Sequence, residues 1–507
     1  MTAVIADRIE SAARAIDVAR NLAAEFAVGA AARDRDRELP YAQVDRLAAS
    51  GLLAITVPAA FGGADLPPTV VAEAVRIIAT ADPNIAQIPH SHFVYLNLLR
   101  LAGTPAQQTR YFGAVLDGAR IANAQSERGG ATVADIATTV RPDGERLRID
   151  GAKYYCTGSL FADLLAVLTR LDDPNSESGL APGEYVVYLP ADTPGVRIVD
   201  DWNGIGQRTT GSGTIVFDGV LVDRDQLVAR ASAVHAPTGY GAFAQLLHAA
   251  IDAGIARGAL TAATDFVRQF SRPWFEAGVE RAVDDPLLIQ RFGELAVGVT
   301  AAEATLSAAG FAVDAAVGEV AVGVTAAEAT LSAAVERGDA VIGNHGTNDA
   351  SGGVSTIDPG ARETSRARPD PVVSAPPQFG AKSAVPVAFR PAPPAGSSLD
   401  TTPDGRDDSA RSAVALPVDV TIDRTDAVAH ASLAVATAKI LADRAANEVS
   451  AALFEVAGTR SVAADLNLHH FWRNARTHTL HDPVRWKYQH IGRALLHDTA
   501  PPQHGVF

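Results

Sequence analysis

Two histidines and two arginines stand together near the C-terminal end, in Phe471-Trp-Arg-Asn-Ala-Arg-Thr-His-Thr-Leu-His-Asp-Pro-Val484. His478 and His481 are three residues apart, as are Arg473 and Arg476. On a helix each pair shares a face, and Pro483 is the expected stop. Imidazole changes charge near neutral pH, whereas guanidinium stays cationic. Such a set suits an anionic cofactor and a reaction that handles protons. The other reading is a solvated basic helix end that complements the helix dipole. Seven of the 13 histidines fall between His469 and His504, which favours chemistry. Zinc is the weaker reading, because two ligands at this spacing lack an obvious third and fourth.

The chain that must position these groups has 507 residues, 47% of them hydrophobic. That is ample for a large core and for two to four structural units. The net charge of −15 argues against nucleic acid as a partner. A basic site within an acidic protein suits a small anion instead. Cys156 is the one cysteine, so no intrachain disulfide can form and a reducing compartment fits. Asp7, Arg8, Glu10, Arg14 and Asp17 interrupt the N-terminal stretch, which has no apolar signal core. No segment reads as long and apolar enough to span a membrane, and a soluble cytoplasmic protein is expected.

Residues 1–120 read as a helical domain, with apolar residues at intervals of three and four and breakers at Pro58, Gly62-Gly63, Pro67-Pro68 and Pro83. Residues 121–230 read as a β-domain. Asp143-Gly144 marks a hairpin turn within Val140–Ile149. Short β-type runs follow at Leu164–Leu168, Tyr185–Leu189, Val196–Val199 and Thr214–Phe217. Helical pattern returns over 231–340 and 418–507. Ala296–Ala309 recurs unchanged as Ala321–Ala334, too few copies for a solenoid. Residues 341–417 hold eleven of the 29 prolines and no period. They are expected to be a disordered insert in one C-terminal bundle.

Five blocks carry a family resemblance. They are Gly51–Gly63, Ile88–Tyr95, Ile121–Glu127, Gly151–Gly158 with Asp201–Gly213, and Ser271–Trp274 with Phe454–Arg460 and the C-terminal run. With them the chain resembles the acyl-CoA dehydrogenase superfamily over about 20–340 and 420–500. Within it, the chain looks most like the flavin-dependent monooxygenases of the dibenzothiophene-desulfurising and sulfur-acquisition type. The resemblance implies an α+β, acyl-CoA dehydrogenase-like fold. It implies that His92 faces a flavin, with Tyr95 as a pocket wall. It also implies that Asn123, Ser126 and Thr157 line the ring and that Trp202 caps it, with Thr210 and Ser212 adding polar contacts. Arg272, Arg460 and His478 are expected to help hold the cofactor, the arginines gripping its phosphate across a subunit boundary. Structural roles for these polar residues are the other reading.

One departure separates two branches. Classical dehydrogenases of the superfamily often carry a catalytic glutamate where this chain has Asp482, in His481-Asp-Pro-Val484. The shorter acid and the rigid Pro483 disfavour reach to a substrate α-proton. The expected activity is therefore a two-component monooxygenase on a small organosulfur compound. It would take reduced FMN from a separate NAD(P)H:flavin reductase, react it with oxygen and act through a C4a-hydroperoxyflavin. His92, Thr157 and His481 are the expected catalytic residues, in a homo-oligomer (dimer or tetramer). The alternatives are an FAD-dependent acyl-CoA dehydrogenase and a flavin-free structural relic.

Overall fold

The computed structural model describes residues 6–318 and 423–503. The expected insert at 341–417 and the second repeat copy at 321–334 lie outside those residues.

Helices α1 (Ala12–Ala27), α2 (Ala30–Asp36), α3 (Tyr41–Ala49), α4 (Pro68–Ala81), α5 (Pro83–Ala102) and α6 (Pro105–Leu116) open the chain. Proline at the first helical position starts α4, α5 and α6, where its fixed φ and missing N–H cost nothing. Asp82 caps α5 through the amides of Asn84 and Ile85, and pairs at 3.0 Å with buried Arg33. Nearly every residue of α5 is buried, so the helix has no polar face.

A mixed sheet follows, built from β1 (Ile121–Ala124), β2 (Thr139–Asp143), β3 (Arg146–Cys156), β4 (Leu164–Leu171), β5 (Glu184–Pro190), β6 (Val196–Val199), β7 (Gly213–Val222) and β8 (Leu227–Ala229). Its order is β6-β7-β3-β2-β4-β5-β8, with β1 added in parallel beside β4. The β2–β3 hairpin turns at Asp143-Gly144 as expected, and Gly144 takes φ +63° there. A bulge between Lys153 and Cys156 breaks the β3–β7 ladder and leaves Tyr155 left-handed at φ +58°.

The last helices are α7 (Ala231–Val234), α8 (Tyr240–Phe270), α9 (Pro286–Val317), α10 (Arg424–Ala457), α11 (His470–His478) and α12 (Arg485–His497). α8 is the axis of the largest core, which also takes in α1, α4, α9 and α10. A Cβ on Gly254 would stand 2.5 Å from the Arg76 carbonyl, and one on Gly258 2.5 Å from that of Thr80. Glycine thus lets α8 and α4 approach backbone to backbone. Helices, then sheet, then helices is the expected α+β class. One expectation needs correction: α9, which contains the first repeat copy, is long and apolar enough to cross a membrane by length and composition. Leu295, Val299, Leu306 and Val313 pack it into the core.

Candidate functional site

The C-terminal run does not form one helix up to Pro483. α11 ends at His478, and His481 sits in the following turn, its amide 3.1 Å from the His478 carbonyl. The two rings still meet, with centroids 5.1 Å apart. His248 of α8 stacks 5.1 Å from each of them, and His90 of α5 lies 3.9 Å from His248. Four imidazoles from three helices and a turn therefore converge. They span a gradient of burial: His481 is exposed, His90 half-buried, His248 8% exposed and His478 fully enclosed.

The partners set the tautomers. A carbonyl only accepts, so each ring nitrogen facing one carries the proton. His90 donates from Nε2 to the Ala244 carbonyl at 3.0 Å, which leaves Nδ1 as an acceptor. His481 donates from Nδ1 to the His478 carbonyl at 2.9 Å, and its Nε2 accepts from the Gln87 amide at 2.9 Å. His478 Nδ1 lies 2.6 Å from Asp252 Oδ1, and Asp252 Oδ2 lies 2.5 Å from Lys439 Nζ. His478 Nε2 then accepts from His248 Nδ1 at 3.1 Å, leaving His248 Nε2 with a lone pair. Burial pushes the His90 ring down to about 4 and His248 well below its ordinary value. Asp252 is held at about 2: burial alone would raise it, and His478 and Lys439 more than offset that. The surroundings of His481 also depress its ring, but its exposure to water screens the effect. Asp482 is buried and accepts from the Gln245 amide at 2.7 Å.

His92, the histidine expected to face the flavin, points elsewhere. Two residues along a helix turn the side chain by about 200°, so His90 and His92 occupy opposite faces of α5. His92 is 1% exposed; Nε2 donates to the Leu53 carbonyl at 2.9 Å and Nδ1 accepts the Ile121 amide at 3.1 Å. With both nitrogens on backbone it joins α5 to β1, whereas His90 is the histidine of α5 that lies beside His248. His478 is corrected likewise. Both its nitrogens are taken inside the protein, so it is not placed to bind a cofactor.

The other expected ring-lining residues lie where α5, β1 and the β3 and β7 ends meet. Asn123 on β1 keeps a buried Oδ1 with no partner among the described residues. Thr157 Oγ1 is 2.8 Å from Ser212 Oγ, which is 2.7 Å from Thr210 Oγ1. The Gly158 amide donates to Thr210 O, and a Cβ at Gly158 would meet Ile88 O at 3.4 Å and Ala122 Cβ at 3.7 Å. Trp202 ties its indole N–H to Gln207 O at 2.7 Å and stands edge-on to exposed Tyr155. The buried Gln207 side chain has neither amide atom partnered among the described residues. Its backbone N–H donates to Asn474 of α11 at 2.7 Å. Ser126 is exposed, its carbonyl accepting from the Tyr154 amide. Tyr95 is buried, with its hydroxyl on Gln125 Oε1 at 2.7 Å. Buried amide atoms without partners, beside a hydroxyl trio, fit the N–H and C=O edge of a flavin.

Arg272 and Arg460 are both exposed and share one corner. Arg460 donates to the Phe270 carbonyl at 3.0 Å, and Ser271 to that of Ala457 at 3.0 Å. This corner is the far end of α8. His248 lies 22 residues back, about 33 Å at 1.5 Å per residue. One FMN is too short to bridge that span within a single chain.

Sequence reading overlooked His90, His248, Asp252 and Lys439 as site residues. A signal for two was present: Gln245, His248 and Asp252 follow at three and four, a polar stripe in an otherwise apolar helix. Among the described residues no three His, Cys, Asp or Glu side chains are arranged to hold a metal ion.

Residues 10–119 match the N-terminal domain of acyl-CoA dehydrogenase, and residues 122–220 match its middle domain. Dibenzothiophene monooxygenase of Rhodococcus qingshengii is 27% identical over 497 residues, covering 96% of this chain and 94% of its own. The probable FMNH2-dependent monooxygenase SfnC of Pseudomonas putida is 27% identical over 493 residues, 96% of each chain. FMN-bound TdsC from Paenibacillus sp. A11-2 aligns with a TM-score of 0.72 at 27% identity, over 97% of this chain and 100% of that one.

Proposed function

Because this chain belongs to the acyl-CoA dehydrogenase superfamily, we propose that it is a flavin-dependent monooxygenase acting on a small organosulfur compound. It takes reduced FMN from a separate NAD(P)H:flavin reductase. The full-length similarity to dibenzothiophene monooxygenase and SfnC supports both cofactor and substrate class. One observation carries the reading. Where a dehydrogenase would present a carboxylate to a carbon-bound proton, Asp482 is buried on the Gln245 amide, and histidines stand around it.

Asn123, Thr157, Thr210, Ser212 and Gln207 would hold the ring, and Trp202 would close one side. Bound reduced FMN supplies the electrons that activate oxygen. His90 Nδ1 and His248 Nε2 offer two lone pairs to an O–H, and Gln87 orients His481 beside His248. Proton handling of this kind works best in a site shielded from water. The exposure of His481 in the single chain leaves that shielding to the bound ligands and a second copy. A homo-oligomer also lets Arg272 and Arg460 grip the phosphate of a neighbouring flavin. Leu287, Ile289 and Val297 on α9 are exposed apolar residues suited to such a contact.

The test supplies the purified protein with FMN, an NADH:flavin reductase, isotopically labelled oxygen and dibenzothiophene or a methyl sulfone. Labelled oxygen in the sulfur product is the expected result. Anaerobic bleaching of bound FAD by an acyl-CoA, with no oxygen incorporated, would establish the dehydrogenase alternative instead.

A further inference from the structure

The chain Lys439–Asp252–His478–His248 is more than a buried ion pair. Lys439, Asp252 and His478 are each wholly enclosed, on α10, α8 and α11. A buried pair is seldom retained for stability alone, because desolvation offsets most of the attraction. Here every bond converges on the carboxylate. Lys439 donates to Asp252 and neutralises it, His478 Nδ1 donates to the same carboxylate, and His248 Nδ1 donates to His478 Nε2. Among these four side chains, the ring nitrogen left with a lone pair is His248 Nε2, on the ring that lies 3.9 Å from His90.

We propose that Lys439, Asp252 and His478 are positioning residues that fix the tautomer of His248 and store a proton for it, a role resting on the monooxygenase reading above. When His248 Nε2 takes a proton from the reacting oxygen, its Nδ1 proton crosses 3.1 Å to His478 Nε2. His248 stays neutral with its tautomer exchanged. The positive charge rests on His478, 2.6 Å from the Asp252 carboxylate. The reverse transfer returns the proton to the oxygen, so no proton or electron is gained or lost. A buried carboxylate that orients an imidazole and stabilises its cation has the same effect in hydrolytic triads. The other groups electrostatically linked to the chain are His90 on α5, Asp443 on α10, Arg476 on α11, His481 and Asp482 in the turn and Lys487 on α12.

The first measurement uses flavin-free protein. The short His478–Asp252 bond should give a proton resonance far downfield of the amides, absent in Asp252→Asn and in His478→Gln. In turnover with reduced FMN, Asp252→Asn should lose ~10²–10⁴-fold in product. Its FMN affinity should stay within a few fold and its hydrogen peroxide release should rise. Should Asp252→Asn prove insoluble, Asp252→Asn with Lys439→Gln removes both charges together and should show the same losses. A wild-type spectrum without the resonance, or full coupling in these variants, overturns the proposal. If the wild type shows the resonance but oxygenates no organosulfur compound, the monooxygenase reading fails while the tautomer assignment stands.

Discussion

At the scale of single residues, His481 and His92 should separate chemistry from architecture. His481 is exposed and held by one carbonyl and one amide, so its loss opens no buried void. His481→Ala should keep FMN affinity within a few fold. Both its ring nitrogens are engaged, so it acts on a ligand by exchanging the Gln87 contact at Nε2; product should then fall ~10²–10⁴-fold, the range for a positioned proton-transfer group, and hydrogen peroxide should rise. Asp482→Asn should cost much less, since the amide can still accept from Gln245. Abolition of acyl-CoA turnover by Asp482→Asn, with His481→Ala mild, would reverse the functional assignment. His92→Ala should behave differently again. It strands the Leu53 carbonyl and Ile121 amide in the core, at about 1–3 kcal/mol each. Urea unfolding should register that loss, while oxygen coupling in the surviving folded enzyme stays near wild type.

At the scale of elements, α11 is one of the clamps on the loop from Asp201 to Gly213. Arg473 donates to the Ile205 carbonyl at 2.8 Å, and Asn474 accepts from Gln207. A Cβ at Gly206 would stand 1.9 Å from the Arg473 carbonyl. Gly206→Ala must therefore push the loop off α11. The expected cost is about 1–3 kcal/mol of stability, the usual range for overpacking. FMN affinity should weaken with it, because Gln207 and Trp202 move together. Titration of FMN by fluorescence quenching checks this, and unchanged affinity would place the loop outside the flavin site. The strands around this loop were readable in advance. Val196–Val199 alternates beside turn residues and forms β6 over those same positions. The polar stripe on α8 was readable too, but only as three spaced residues; nothing local says that His478 and Lys439 complete it.

At the scale of the whole molecule, acid should unfold this protein by way of its enclosed histidines. Burial pushes His92 and His470 down to about 4 and His248 well below its ordinary value, against about 6.5 for a free ring. As pH falls through 6.5 the unfolded chain takes up protons that the native rings refuse. Stability is therefore complete above 6.5 and drains away toward 4, by at most about 1.4 kcal/mol per pH unit for each ring. Thermal unfolding at pH 7, 6 and 5 should show a steepening loss; a flat profile would mean that the rings are already charged in the native state. The distant arginine corner makes a second prediction. Arg460→Ala should weaken FMN binding by ~1.5–3 kcal/mol if the guanidinium bonds phosphate. If each arginine serves a neighbour's flavin, mixed oligomers of Arg460→Ala and wild type should recover tight binding at some mutant subunits' own sites. Strictly proportional loss within each mutant subunit's own site would show that the contact is made within one chain.

By itself the sequence determined the α+β class, most of the strand positions and the hairpin at Asp143-Gly144, because periodicity and turn chemistry are local. Local spacing also drew attention to His478, His481 and the hydroxyl-bearing turn at Thr157. It could not choose between His90 and His92. α5 is buried on nearly all sides, so no polar face marks which way each ring points. Nor could it assign His478, whose role depends on Asp252 and His248, 226 and 230 positions away in the chain. Only tertiary structure decided those roles. A ring's tautomer is fixed by whichever donor or acceptor packing brings to it, and those partners come from helices that meet only after the core has formed.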